Sequence, residues 1–150
     1  MKKIIVTFTG IFFVLLSFAQ QQVEWSFFSK KINDNTYEIH LTASIEKGWV
    51  LYSQFSPKKG AVATVINITP VKGLSPSDKF EEKGVLQKRK NVVQDYQVEY
   101  FENQVDFVRE VTVRKNAGEK PNAEGSVSYI TSNGSQTLPR FTVNFSIPLN

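Results

Sequence analysis

Polar and apolar residues alternate strictly over Thr36–Ile45. Tyr37, Ile39, Leu41, Ala43 and Ile45 fall on one face, and Thr36, Glu38, His40, Thr42 and Ser44 on the other. A period of two predicts a strand with one buried face. Phe141–Ile147 repeats the pattern with Phe141, Val143, Phe145 and Ile147 inward, and Gln104–Arg114 does so with Arg109 interrupting the stripe. Val23–Phe28, Trp49–Tyr52, Ala63–Ile68, Val98–Phe101 and Gly125–Thr131 are further strands by the same reasoning. Turn residues punctuate these runs at Asn33-Asp34-Asn35, Glu46-Lys47-Gly48, Pro57–Gly60, Gly73–Pro76 and Asn116–Gly125. Ser75–Asp95 is the least regular stretch and reads as a long loop or partly paired edge. No stretch carries a helical period. The pattern predicts an all-β chain, a single immunoglobulin-like β-sandwich, with a small barrel as the competing architecture.

The first residues follow a different rule. Lys2 and Lys3 precede an apolar run from Ile4 to Leu16, and Ser17-Phe18-Ala19 forms a small-x-small site, the layout of a secretory signal peptide. Ile4–Ala19 is shorter than the roughly 20 residues that span a bilayer, and Thr7 and Thr9 weaken it as an anchor. The expected division is a signal peptide at 1–19 and a β-sandwich domain at 20–150. The expected address is periplasmic, with secretion as the second possibility, and no membrane segment remains after cleavage. No cysteine follows the cleavage site, which excludes a lipoprotein.

Composition narrows the chemistry. The chain of 150 residues has no cysteine, one histidine and one methionine, Met1. Thiol nucleophiles, disulfides, zinc–thiolate sites and multi-histidine metal sites are therefore excluded. Cleavage removes two of the 18 basic residues and none of the 14 acidic ones, lowering the net charge from +4 to +2. The basic clusters Lys58-Lys59 and Lys88-Arg89-Lys90 fall short of the broad basic surface that nucleic acid requires.

The remaining motifs read as structure. Asn133-Gly134, between two strand runs, signals a type I′ turn. His40 lies on a polar face, where a solvated surface position is expected. Glu81, Glu82, Glu99, Glu102 and Asp106 form a solvated charged face, with no spacing that suggests a glycosidase pair. The triplets at Asn67, Asn133 and Asn144 match the N-glycosylation acceptor by chance. In Trp49–Tyr52, Trp49 and Leu51 point one way and Val50 and Tyr52 the other, with Trp49 read as core.

The runs Val23–Phe27, Asn35–Ala43, Lys47–Gln54, Val105–Val108 and Thr131–Pro139, taken in order, resemble the N-terminal periplasmic domain of the thiol:disulfide interchange protein DsbD. The similarity covers essentially all of residues 20–150. It implies an immunoglobulin-like sandwich that passes electrons to periplasmic partners through two cysteines on a hairpin. In the family that hairpin reads Thr-Cys-Asn-Asp-x-x-Cys-Leu-Pro-Pro. Here Thr131–Arg140 places Ser132 and Thr137 at the two cysteine positions. A hydroxyl cannot form the mixed disulfide that the exchange passes through. Ser132 also lacks a histidine base, so a serine-hydrolase reading fails. The resemblance further implies a cap loop, falling here at Gln87–Asp95.

No catalytic residue, cofactor or metal is therefore expected, and the chain is read as a non-enzyme. The leading function is an interaction module for another envelope or periplasmic protein, touching it through Tyr52, Asn133, Leu138 and Pro139. The alternatives are a small-ligand or glycan-binding sandwich stacking sugars on Tyr52, Tyr96 and Tyr100, and a structural subunit of an envelope complex. The oligomeric state is open at this point.

Overall fold

A computed structural model of the chain describes residues 21–57, 62–77, 79–91, 95–114 and 118–150. The proposed signal peptide, Lys58 and Lys59 lie outside these residues. Among the described residues every regular element is a strand: β1 (Val23–Lys31), β2 (Thr36–Ile45), β3 (Val50–Tyr52), β4 (Val65–Ile68), β5 (Leu74–Pro76), β6 (Glu81–Asn91), β7 (Tyr96–Val113), β8 (Ala123–Tyr129), β9 (Thr131–Ser132) and β10 (Phe141–Ile147).

Two antiparallel sheets result. The larger runs β1-β2-β7-β3-β9, with β5 and β6 paired to the opposite side of β7, and the smaller runs β10-β8-β4. The alternation read in β2 is the alternation of burial, because Tyr37, Ile39, Leu41 and Ala43 are fully enclosed. Val105, Phe107 and Val111 of β7, Val127 and Tyr129 of β8, and Phe145 and Ile147 of β10 complete the layer between the sheets. Trp25 on β1 bridges them, stacking on Phe107 at 5.9 Å and tilting against Tyr129 at 5.4 Å. Each such side chain gains roughly 1.5–3 kcal/mol on burial, and aromatic pairs add about 0.5–1.5 kcal/mol.

Two sequence expectations change here. Val98–Phe101 and Gln104–Arg114 are one strand, bent where Asn103 takes a φ of 66° opposite a register shift between Gly84 and Leu86. Asn is among the few side chains that tolerate this conformation. Of the two readings of Ser75–Asp95, the paired edge holds, since β5 and β6 both hydrogen-bond to β7. Gln87–Asn91, where a cap loop was expected, belongs to β6, and residues 92–94 lie outside the described residues.

Arg109 interrupts its stripe for a visible reason. Its guanidinium lies 5.4 Å from the centre of the Phe80 ring and its Nε donates to the Ser77 carbonyl at 2.8 Å, closing the rim of the core. Gly125 marks a close approach on β8. A Cβ there would sit 2.1 Å from the Asn67 carbonyl oxygen and 2.6 Å from the Phe145 ring.

Candidate functional site

The hairpin after β9 brings Ser132 and Thr137 face to face as an antiparallel bridge. The flanking backbone bonds run from Leu138 N–H to the Thr131 carbonyl and from Asn133 N–H to the Gln136 carbonyl, each 3.0 Å. Ser132 and Thr137 are therefore a non-hydrogen-bonded pair, the register that sets Cα atoms about 4.5 Å apart. The Thr137 hydroxyl donates to Ser132 Oγ at 3.3 Å. On its other side Ser132 pairs with Val50 of β3, and only 5% of it is exposed.

The loop is not the type I′ turn that Asn133-Gly134 suggests. Only Gly134 has a positive φ, 87°, and the loop spans Asn133–Gln136. The Asn133 side chain supplies the reason. Its Oδ1 accepts the backbone N–H groups of Ser135 at 3.0 Å and Gln136 at 2.8 Å, an Asx-type turn that removes the need for a second left-handed residue. The Gly134 N–H in turn donates to Ser132 Oγ at 3.3 Å.

Around the hairpin, Asn133 and Pro139 are exposed and Leu138 is half-buried. Tyr52 is only 6% exposed and pairs in register with Tyr100, so its ring has little surface to offer a partner. Tyr96 and Tyr100 are half-buried, and Arg89 lies over the Tyr100 ring at 5.7 Å. These tyrosines do not form an open stacking platform. Lys88 and Lys90 of the basic run pair with Glu99 at 2.9 Å and Asp95 at 3.1 Å.

Two ionisable groups expected on solvated faces are instead built into the structure. His40 has a side chain only 12% exposed, its Nδ1 lies 2.7 Å from Asp106 Oδ2, and its ring stacks on Phe28 at 4.5 Å. Thr42 donates to the other Asp106 oxygen at 3.0 Å. His40 Nε2 is shielded from solvent and makes no hydrogen bond, though Glu38 Oε2 lies 3.6 Å away. Glu82 accepts the Ser53 hydroxyl and the Gln54 N–H, each at 2.8 Å, and pins the segment after β3. Burial raises the Glu82 carboxyl above its ordinary 4.5 and outweighs those bonds, with Glu99 adding to the rise. Period-two parity places His40 on the correct face but says nothing of Asp106, which meets it only through the β2–β7 register.

Among the described residues no cluster of His, Cys, Asp or Glu suits a metal ion, and no helix is long and apolar enough to cross a membrane. The chain has no cysteine, so its own residues cannot carry a dithiol.

No protein-family model and no curated protein matches the chain. Among solved structures it is similar to the N-terminal periplasmic domain of ScsB from Proteus mirabilis, with a TM-score of 0.51, 19% identity and 81% of this chain covered. The match spans 44% of that ScsB chain, less than half its length. The N-terminal domain of Neisseria meningitidis DsbD in the reduced form is aligned over 86% of both chains at 17% identity and a TM-score of 0.49. The chain has the fold of the ScsB N-terminal domain, an immunoglobulin-like sandwich of two antiparallel sheets with no helix among the described residues.

Proposed function

We propose that residues 20–150 form an exported protein-interaction module of the cell envelope, docking through the Ser132–Pro139 hairpin and carrying out no thiol–disulfide exchange. The observation behind this reading is the meeting of Ser132 Oγ and Thr137 Oγ1 at 3.3 Å in a cross-strand pair. A cysteine pair at such positions could close an S–S bond of about 2.05 Å. Hydroxyls neither ionise near neutral pH nor attack sulfur, so the geometry persists without the reaction. The fold similarity to a periplasmic domain and the signal-peptide pattern at 1–19 support the envelope address. A periplasmic location is favoured over secretion on the same grounds.

The contact falls on Asn133, Leu138 and Pro139, with Tyr52 acting from below as support for β3. The partner is another envelope protein. Tagged residues 20–150 and the Leu138→Asp variant test this together against envelope extract, followed by direct binding to the purified protein retained. The expected result is a protein held by the wild type and lost by the variant, with matching melting curves for the two baits. Retention of the same proteins by both baits would remove the hairpin from the function.

A further inference from the structure

The hairpin also holds the chain's one Asn-Gly pair in an arrangement suited to chemistry on itself. We propose that Asn133 is a self-deamidation site, activated by the folded turn rather than merely tolerated in it. The Gly134 backbone nitrogen adds to Asn133 Cγ and loses its proton to solvent. The Cγ–Nδ2 bond breaks, ammonia leaves, and a succinimide ring remains. Water then opens the ring at Cγ to give aspartate, or at the Asn133 main-chain carbonyl to give isoaspartate. The balance is one water consumed and one ammonia released, with no oxidant, reductant or metal needed.

Three features of the turn promote the first step. When nitrogen adds to Cγ, negative charge grows on Oδ1. The N–H groups of Ser135 and Gln136 already point at that atom from 3.0 and 2.8 Å. Two backbone donors fixed on a developing oxyanion stabilise it without reorganisation. Gly134 carries no side chain to crowd the attacking nitrogen. Asn133 to Gln136 are exposed, so water and hydroxide reach the site.

The molecule contains its own control. Asn33 Oδ1 accepts the N–H groups of Asn35 and Thr36 at 3.1 and 3.0 Å, the same two-donor arrangement. It is followed by Asp34, whose side chain crowds the nitrogen and whose charge opposes its deprotonation. Asn33 therefore has the donors without an accessible nucleophile. Conversion at Asn133 puts a negative charge on the loop between Ser132 and Thr137, and the isoaspartyl product lengthens the backbone there.

The test is peptide mapping by mass spectrometry with isoaspartate detection. The purified chain is aged at several pH values below its melting temperature, beside the same chain unfolded in denaturant. The expected result is conversion of Asn133 in the native protein at least as fast as in the unfolded chain, rising with pH, while Asn33 stays unconverted. A native Asn133 rate severalfold below the unfolded rate would overturn the proposal without reliance on any variant.

Discussion

The Ser132–Thr137 hairpin and the His40–Asp106 pair are both cross-strand contacts between polar side chains, yet they divide the properties of an active site between them. His40 and Asp106 have the ionisable chemistry and a short contact of 2.7 Å. They sit between two long strands, with Phe28 stacked on the ring and the free imidazole nitrogen shielded. Ser132 and Thr137 lie at the end of the sandwich beside an exposed loop, but they offer two neutral hydroxyls 3.3 Å apart. The ionisable pair is built into the sheet, and the hairpin pair, of which Thr137 alone is exposed, offers only hydroxyls. The contacts of His40 with Asp106 and Phe28 give the histidine a structural role.

The comparison can be broken by substitution. The largest effect is expected from Asp106→Ala, which removes the acceptor of both His40 Nδ1 and Thr42 Oγ1. Leaving these partly buried donors unpaired should cost about 2 kcal/mol in urea unfolding. A loss below about 0.5 kcal/mol, the range of ordinary surface substitutions, would return His40 to the solvated class.

Glu82→Gln gives a smaller effect with a defined pH dependence. The folded carboxyl has a raised pKa, so the native state holds its proton more tightly than the unfolded chain. The Glu82 contribution is fully present below about pH 4.5 and is lost as pH rises through the folded value. The stability of Glu82→Gln relative to wild type should therefore improve between pH 4 and pH 7. A difference that does not vary over that range would contradict desolvation as the dominant influence on this carboxyl.

Ser132→Ala is expected to have the smallest effect, no more than about 1 kcal/mol, because both bonds to its oxygen are long at 3.3 Å. A cost as large as that of Asp106→Ala would mean that the hairpin stabilises the fold rather than serving as a displayed surface.

Much of the fold was legible because it depends on local alternation. Thr36–Ile45 and Phe141–Ile147 have the boundaries their patterns predict. What depends on register was not legible. His40 and Asp106 are 66 positions apart, and only the pairing of β2 with β7 brings them together. At Asn103 three residues of β7, Glu102 to Gln104, face the single Val85 of β6, a mismatch that neither strand announces alone. The turn at Asn133-Gly134 was misread because the dipeptide rule covers backbone angles, and here the asparagine side chain does the capping. The Ser132–Thr137 contact was anticipated from family resemblance, since two isolated hydroxyl residues carry no spacing signal of their own.

The hairpin has the geometry of a closable pair and lacks only the sulfur. The double variant Ser132→Cys/Thr137→Cys tests it directly by thiol counting before and after oxidation with oxidised glutathione. Both thiols should disappear into one intramolecular disulfide, reversible by a dithiol. Closing so short a loop should stabilise the fold by about 2 kcal/mol. Two thiols that stay free after oxidation, in a variant that melts like the wild type, would contradict it.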